Sequence, residues 1–302
     1  MESGRTKESL PKESFHEKNH YEDAAFPVGI YKVTKESIVP PGRGYMDLHW
    51  HEELQFTLVT EGVLKLQVNA EEYKVKAGEA IFINRNLLHI TTELSEHGRY
   101  ISLNFPDKML GFFPGSRMEQ DFVHPYTGNC AVPAIVLREG VEWQNGVLKL
   151  LRHIIAILEQ KKQGEYEYLI AMKLTEMWYR LVFNIKFDIK RPSCSYIRKQ
   201  ERIHQMLIFI HNHYMEKIYL KDIAAVVNIS EGECCRCFQG MLRMSPNQYL
   251  LNYRISKGME LLNSTEQSVT DVAYAVGFND SNYFIQYFKK KTGMTPKEYR
   301  KK

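Results

Sequence analysis

The chain has 302 residues, of which 44% are hydrophobic and 25% are charged, a composition typical of globular proteins with room for about two domains. No apolar run approaches the roughly 18 residues that a membrane-spanning helix needs, and residues 1–8 lack the apolar stretch of a signal peptide. These features argue against a membrane partner and predict localisation in the cytoplasm.

The net charge of +4 is unevenly distributed along the chain. From Arg191 to the C-terminus, 17 Lys and Arg accompany 10 Asp and Glu, whereas the remainder carries 23 against 26. A basic C-terminal part favours binding to a polyanion such as nucleic acid.

The N-terminal half changes character at about residue 25. Residues 1–24 are polar and charged without periodicity, which predicts a flexible tail. Residues 25–139 contain short β-branched or aromatic runs, separated by turn residues such as Glu61-Gly62 and Ala77-Gly78. Short strands at this spacing predict an antiparallel barrel or sandwich.

Histidines recur in the first part of this β-rich region. His49-Trp50-His51, Gln55, Gly62, Gly78 and His89 resemble the two sequence motifs of the cupin barrel family. In that family two His, one Glu and a third His bind one metal, whereas the Glu position here holds Gln55, a poor ligand. The resemblance implies a small-molecule pocket formed by His49, His51, Gln55 and His89, and we predict no metal and no other cofactor. Two alternatives stay open, namely three imidazoles that hold zinc or iron, and histidines that are simply hydrogen-bonded at the barrel rim.

The periodicity becomes helical between residues 140 and 188. Apolar residues recur three and four apart in two runs, which predicts a helical hairpin. Such a hairpin can cap the barrel or pair with a second subunit, and we expect it to form a homodimer. Residues 189–200 are rich in Ser, Pro and basic residues and predict an interdomain linker.

Residues 201–302 contain the same construction twice, about 50 residues apart. The copies, at about 218–243 and 268–292, each predict a short helix, a tight turn and a second helix. This unit places one helix in a DNA major groove. The repeat therefore predicts an all-α domain with two helix-turn-helix units.

In the second copy, Gly277 lies where the turn requires a positive φ. Asp280 or Ser281 can cap the following helix, and Phe284 and Phe288 face the core. The residues that we expect on its DNA-contacting face are Ser281, Asn282, Gln286, Lys289 and Lys290.

In the first copy, Ser230 is the predicted cap and Phe238 the inner anchor. The residues that we expect to contact DNA are Gly232, Cys235, Arg236 and Gln239. Arg236 is best suited to read a base because its guanidinium can donate two hydrogen bonds to guanine O6 and N7. The alternative is that these outward groups are a solvated surface, or contact only phosphate.

The repeat closely resembles the DNA-binding domain of the AraC family of bacterial transcription regulators. The matches include Val272-Ala273, Gly277-Phe278, Tyr283-Phe284, Thr295-Pro296 and Tyr299-Arg300, with Ile223-Ala224, Phe238 and Ser245-Pro246 in the first copy. Four positions depart from the family pattern, with Cys234 for Leu, Arg243 for Gly, Gly258 for Ala and Gln286 for a basic residue. Because Glu231 and Glu233 repel nearby phosphates, we expect the first unit to bind DNA more weakly than the second.

The five cysteines, at positions 130, 194, 234, 235 and 237, are expected to be reduced. The cluster at 234, 235 and 237 lies inside a predicted helix, without a partner at zinc-ligand spacing. We interpret these cysteines as small packing residues, with a metal or redox sensor as the alternative.

Taken together, the sequence predicts an α+β protein with a cupin-like barrel, a helical hairpin and a double helix-turn-helix domain. The resemblance implies a regulator, not an enzyme, which binds promoter DNA, a small effector such as a sugar, and RNA polymerase. We expect an activator whose mobile element is the tail or the segment 26–43, because an arm can close over a barrel mouth. The alternatives are a metal-dependent cupin enzyme fused to a DNA-binding domain, and a ligand-independent regulator whose barrel only dimerises.

Overall fold

The computed structural model describes residues 17, 19, 21–40, 48–128, 132–160, 166–185 and 194–301, with the backbone alone described for 194–197. Contacts divide these residues into two compact units, and the division falls between Ile197 and Arg198. None of the described helices is long and apolar enough to cross a membrane. Most of the predicted tail, 1–24, and part of the predicted linker, 189–193, lie outside the described residues.

The N-terminal unit is built on two antiparallel sheets. Their strands are β1 Gly29–Val33, β2 Ile38–Val39, β3 Leu54–Glu61, β4 Val63–Val68, β5 Glu71–Lys76, β6 Ala80–Ile83, β7 His89–Leu94, β8 Arg99–Phe105 and β9 Ala134–Leu137. The larger sheet has the order β2-β1-β8-β3-β6-β9 and the smaller one the order β5-β4-β7. The predicted fold of short antiparallel strands is confirmed.

Strand β3 shows why both faces of the larger sheet are buried. Successive side chains of a strand point to opposite faces, so Gln55 and Thr57 share one face of β3 and Leu54, Phe56 and Leu58 the other. The apolar face joins a hydrophobic core with two helices, α2 Glu142–Gln160 and α3 Tyr166–Asn184. The helical hairpin predicted for 140–188 is present and covers this outer face, while the polar face of β3 looks toward the interior.

Three short helical turns link β8 to the last strand. They are a 3-10 turn at Asp107–Leu110, a π turn at Met118–Val123, and α1 at His124–Thr127. The indole of Trp178 in α3 donates a hydrogen bond of 2.8 Å to the carbonyl of Phe122. This bond attaches the connection to the helical hairpin.

The C-terminal unit is all-helical. Its elements are α4 Cys194–His213, α5 Leu220–Ala225, α6 Glu231–Leu242, α7 Pro246–Ser264, α8 Val269–Ala275, α9 Ser281–Thr292 and α10 Pro296–Arg300. Helices α5 and α6 form one helix-turn-helix unit, α8 and α9 form the other, and α7 lies between them in the chain. Both units fall within the ranges that the sequence predicts.

Helix α4 begins inside the segment that is predicted to be a linker. Its first residue is Cys194, whereas the polar composition of 189–200 indicates an irregular connection. Arg198, Lys199 and Gln200 are good helix formers, so polarity alone does not mark the boundary. The irregular part of the predicted linker can therefore extend no further than residue 193.

In both copies, the turn between the two helices contains a residue in the left-handed backbone conformation. Gly277 has φ of +87°, and Asn228 occupies the matching place in the first copy with φ of 52°. Asn tolerates this conformation better than most residues because its side chain can hydrogen-bond locally. A second matching pair of left-handed residues ends α6 and α9. Arg243, with φ of 53°, is the C-cap of α6, and Gly293, with φ of 81°, is the C-cap of α9. The substitution of Arg for Gly at 243 therefore leaves the backbone geometry of the repeat intact.

Candidate functional site

The N-terminal unit contains a pocket on the inner face of the larger sheet. Its volume is about 60 Å³, which is room for a few water molecules or a small ligand group. The walls combine apolar and polar side chains. The lining residues are Glu17, Asn19, Tyr31, Val33, Ile38, His49, Gln55, Thr57, Leu64, Leu66, His89, Ile90, Thr91, Tyr100, Ser102 and Asn104.

Three of the four predicted ligand-binding residues line this pocket, and His51 lies directly beside them. The imidazole rings of His49 and His89 are 4.2 Å apart between centroids, and those of His51 and His89 are 5.1 Å apart. Backbone pairing between His49 and His89 brings the two motifs together. The structure thus brings together the histidines that the resemblance to the cupin motifs places at one site.

A chain of hydrogen bonds extends from His51 along the polar face of the larger sheet. The Nε2 atom of His51 lies 2.9 Å from Oε1 of Gln55, whose amide nitrogen donates to the hydroxyl of Thr57 at 2.8 Å. The hydroxyls of Thr57 and Ser102 are in turn 2.9 Å apart. Because all four side chains are buried, this chain fixes the orientation of Gln55 and forms one polar wall of the pocket.

His89 differs from the other two histidines. Its Nδ1 atom lies 2.8 Å from the carbonyl oxygen of Leu87, which makes Nδ1 the protonated nitrogen and leaves a lone pair on Nε2. Among the described residues, that buried Nε2 has no hydrogen-bond partner. Burial, reinforced by neighbouring His49 and His51, holds the pKa of His89 well below its ordinary value. His89 is therefore a neutral imidazole with an available lone pair.

An acidic and amide-bearing segment before β1 lies against the same pocket. Oε2 of Glu17 is 3.2 Å from Nε2 of His49, and Asn19 accepts a hydrogen bond of 3.0 Å from the amide of Asn104. The hydroxyl of Tyr21 donates to Glu53 at 2.7 Å, and burial together with this contact raises the pKa of Tyr21. These contacts fix the segment beside the histidine cluster.

The donor set fits a divalent transition metal. The ligand atoms of His49, His51 and His89 all lie within 4.8 Å of one another, and neutral imidazole is a common ligand for zinc, iron and copper. A carbonyl that accepts the second N–H of a ligating histidine, as Leu87 does for His89, is the usual outer-shell arrangement. Two of the imidazoles are engaged otherwise, because His51 contacts Gln55 and His49 contacts Glu17.

In the first helix-turn-helix unit, α6 begins at the predicted cap. The hydroxyl of Ser230 accepts a hydrogen bond of 3.2 Å from the amide of Glu233. Phe238 is fully buried, and so are Cys234 and Cys237, whereas Gly232, Arg236 and Gln239 are exposed and Cys235 is half-buried. The predicted outward face therefore faces solvent, with Cys235 at its edge.

The cysteines of α6 pack the interior of this unit. Burial raises the pKa of the Cys234 thiol to about 12 and also raises the pKa of Cys237. Thiols held in the neutral form are poor nucleophiles and poor metal ligands. This environment agrees with the interpretation of both residues as packing residues.

The second unit settles which of two residues caps α9. The carboxylate of Asp280 accepts a hydrogen bond of 2.7 Å from the amide of Asn282, so Asp280 is the cap. Phe284 and Phe288 are fully buried, as predicted. Of the expected DNA-contacting residues, Ser281 is half-buried, and the exposed ones are Asn282, Gln286, Lys289 and Lys290.

Close packing at Gly277 and at Gly258 places the second helix-turn-helix unit against the rest of the C-terminal domain. Arg254 of α7 donates from Nε to the carbonyl of Tyr214 and from Nη2 to the carbonyl of Glu216, both at 2.7 Å. A Cβ atom on Gly277 would lie 2.5 Å from the same Tyr214 oxygen. Gly258, the departure from Ala, is explained by Phe284, since a Cβ there would lie 3.0 Å from its ring.

Several residues of the sites are missing from the sequence-based prediction. In the pocket they are Glu17, Asn19, Thr57, Ser102 and Asn104. Polar residues at alternate positions of apolar strands, as at 102 and 104, are the signal that indicates such a wall. In the first helix-turn-helix unit, the missing residue is Glu233, which forms an ion pair with Arg236. The sequence pattern that indicates this pair is a carboxylate three residues before an arginine on one helix.

Comparisons with known proteins match both parts of the chain. A helix-turn-helix domain family matches residues 223–302, and a cupin domain family matches residues 35–101. The HTH-type transcriptional regulator YdeC of Bacillus subtilis (strain 168) is 37% identical over 290 residues, covering 96% of this chain and 97% of that protein.

Two further relatives are more distant. The HTH-type transcriptional activator RhaS of Klebsiella pneumoniae (strain 342) is 24% identical, with coverage of 91% of this chain and 94% of the relative. The melibiose operon regulatory protein of Escherichia coli (strain K12) is 22% identical, with coverage of 84% and 83%.

Proposed function

This chain belongs to the AraC family of helix-turn-helix transcriptional regulators and carries an N-terminal cupin domain, and we propose that it is an activator controlled by a small metabolite. The observation that carries the proposal is the pair of helices, α6 and α9, each with a buried apolar face and an exposed polar face. Such a pair suits two neighbouring major grooves of one duplex. The similarity to RhaS, a transcriptional activator, supports the direction of control.

The exposed residues of α9 supply both kinds of DNA contact. Asn282 and Gln286 carry amides that can pair with adenine in the major groove. Lys289 and Lys290, in the last turn, carry the positive charge that contacts phosphates. Ser281, beside the cap, has only a hydroxyl with which to hydrogen-bond to DNA. On α6, Arg236 suits guanine, and the remaining contacts that we propose are made by Gly232, Cys235 and Gln239.

The pocket of the cupin domain is the proposed effector site. His49, Gln55 and His89 contribute polar groups to it, with His51 holding Gln55, and apolar side chains complete the lining. A polar wall that both donates and accepts hydrogen bonds suits a hydroxyl-rich metabolite. A sugar is the class that we propose, and the similarity to the melibiose operon regulatory protein supports it.

Control by an effector requires two states that bind it with different affinity. The segment containing Glu17, Asn19 and Tyr21 is the proposed moving element, because its contacts with His49, Asn104 and Glu53 compete with a ligand for the pocket edge. Effector binding would then change how this segment lies across the cupin domain.

A homodimer through the helical hairpin is the proposed assembly. Tyr168, Met172, Tyr179 and Phe183 of α3 are 78%, 56%, 54% and 65% exposed. Residues spaced by four and seven fall on one face of a helix, so these side chains form an apolar stripe opposite the core-facing side. An exposed stripe of this kind typically marks an interaction surface. We propose that this face pairs with a second copy, and that DNA-bound dimers recruit RNA polymerase in the cytoplasm.

The proposal is tested with the full-length chain in two steps. Sugars and related metabolites are screened for an increase in thermal stability, since a ligand at a hundredfold excess over its Kd adds about 2.7 kcal/mol. DNA duplexes that the protein enriches from a pool of random sequences are then titrated with the protein, with and without each stabilising metabolite. We expect one chemical class to stabilise the protein and to change DNA affinity or transcription, with both effects reduced in Gln55→Ala. A hit that leaves DNA binding and transcription unchanged would contradict effector control.

The histidine cluster favours one second candidate function, a metal-holding cupin centre. His49, His51 and His89 would hold the ion, which would supply Lewis-acid chemistry or a structural clamp. The discriminating measurement is the metal content of the purified protein. Stoichiometric zinc or iron that is lost in a His49→Ala, His89→Ala double variant would favour this candidate, and metal-free protein that responds to a metabolite would favour the sensor.

A further inference from the structure

An ion pair on the exposed face of α6 gives Arg236 a defined orientation. Nε of Arg236 lies 2.9 Å from Oε2 of Glu233, and Nη2 lies 2.7 Å from the same oxygen. The arginine side chain is 72% exposed and that of the glutamate 28%. Salt bridges at such positions add little to stability, so any role of this pair has to lie in where it places the guanidinium.

The two bonds occupy one edge of the guanidinium and leave another edge available. The edge formed by Nε and Nη2 faces Glu233, whereas Nη1 and the second N–H of Nη2, which together form the end edge, are not used in the bonds to Glu233. The end edge carries two parallel N–H donors, which is the arrangement that reads guanine O6 and N7 together. Nη1 lies beside Gly232, where a Cβ atom would come to an ordinary van der Waals distance of 3.7 Å.

Other positive groups keep Glu233 ionised. The hydrogen bond from Arg236, supported by the nearby charges of Lys199 and Arg202, lowers the pKa of Glu233. An ionised carboxylate is a stronger acceptor for a guanidinium than a neutral one. Glu233 is therefore ionised throughout the neutral pH range, before DNA arrives.

The second unit lacks this arrangement. The caps Ser230 and Asp280 are fifty positions apart in the chain, which aligns Glu233 with Tyr283 and Arg236 with Gln286. Neither a carboxylate nor an arginine stands at the matching places of α9. Of the two helices, only α6 carries this ion pair. The second helix-turn-helix unit therefore has to contact bases with other side chains.

We propose that Glu233 is a positioning residue that holds the guanidinium of Arg236 for guanine recognition by α6. This rests on the proposed function, in which the outward face of α6 reads bases. A long arginine side chain loses rotamer freedom when it binds, and prior fixation by Glu233 removes part of that penalty for guanine at one position. Glu233 thereby adds to specificity, although its charge alone would oppose DNA binding.

The test compares five full-length proteins, namely wild type, Glu233→Gln, Arg236→Ala, the double variant of these two, and a matched control, Glu231→Gln. Glu231 is exposed, lies in the same first turn and carries the same charge, so its substitution reproduces the loss of charge. A high-affinity duplex enriched from a random pool with wild-type protein is altered one base pair at a time. The affinity of each protein for every altered duplex gives a preference at every position.

We expect Arg236→Ala to abolish a guanine preference at one position and Glu233→Gln to reduce the preference at that same position by about 3- to 10-fold. Glu231→Gln should raise affinity for all duplexes alike and leave every preference unchanged. In the Arg236→Ala background, Glu233→Gln should change that position no further. Circular dichroism of each variant confirms that the helical content of the protein is retained.

Two outcomes separate the inference from the function on which it rests. If Arg236→Ala removes a preference but Glu233→Gln behaves like Glu231→Gln, the positioning role is wrong and base reading by α6 stands. If Arg236→Ala lowers the affinity for every duplex equally, Arg236 touches only phosphate, and both the positioning role and the proposed base contact are wrong.

Discussion

Replacing Gly277 by Ala tests how the turn of the second unit is packed. The residue has φ of +87°, and its missing Cβ would lie 2.5 Å from the carbonyl oxygen of Tyr214 and 3.0 Å from Nε of Arg254. The left-handed conformation alone destabilises Ala by about 1–2 kcal/mol. The methyl group must also disturb the bond from Arg254 to Tyr214, and a hydrogen bond to a charged group contributes about 1.5–3 kcal/mol. We therefore expect Gly277→Ala to lower the free energy of unfolding by roughly 3–5 kcal/mol.

Gly293 offers a matched control within the same chain. It has a similar φ of +81°, but a Cβ there would meet nothing within 4 Å. Gly293→Ala should therefore show the conformational penalty alone, about 1–2 kcal/mol. Both variants lose the same unfolded-state entropy on replacing Gly, so that contribution cancels in the comparison.

Hydrogen exchange of the amides in 269–292 of the full-length chain measures this difference. The slowest amides report the opening free energy of the unit without a requirement for two-state unfolding of the whole protein. The packing account predicts that Gly277→Ala lowers this free energy by at least about 1.5 kcal/mol more than Gly293→Ala does. Equal losses in the two variants would show that the contact with Tyr214 has no energetic role.

Three further predictions concern the DNA contacts, the thiols and the dimer. Lys289→Ala should weaken binding to all sequences alike and lower the slope of log affinity against log salt by about 1, and a change confined to one base position would contradict a phosphate contact. At pH 8, alkylation of the native protein should reach Cys235 well before Cys234, because burial raises the pKa of Cys234 to about 12 and leaves almost no thiolate there. Peptide mass spectrometry measures the order, and equal labelling of both would contradict the packing role. Phe183→Glu, on the exposed apolar stripe, should convert a dimer into a folded monomer in sedimentation experiments, whereas Lys173→Glu on the same helix should leave the dimer unchanged.

The helical half could be predicted closely from the sequence because each of its positions has a local cause. Caps such as Ser230, the turn residue Gly277 and the anchors Phe284 and Phe288 follow from rules that act within one or two turns of a helix. The repeat reinforced each assignment, since one copy constrains the other. Asn228 is the exception, because a tolerated substitute for Gly does not stand out without a structure.

The pocket could be predicted only in part because its walls depend on strand pairing over long sequence distances. The resemblance to the cupin motifs indicates a cluster of His49, His51 and His89, and the structure brings these residues together. The partners Thr57 and Ser102 lie forty-five residues apart in the sequence, and their contact follows from the register of β3 with β8, which no local pattern fixes. The sequence identifies Glu233 as an acidic residue near phosphates. Its bond to Arg236 cannot be predicted in the same way, because it depends on side-chain rotamers.

The central claim is that α6 and α9 enter successive major grooves of one duplex, and chemical footprinting measures this directly. Full-length protein is bound to a duplex enriched from a random pool, and base protection is mapped with wild type, Arg236→Ala and Gln286→Ala. The account predicts two protected major-groove segments on one face of the DNA, about 10 base pairs apart, with one segment weakened by each substitution. A single protected segment, or two substitutions that weaken the same segment, would contradict it.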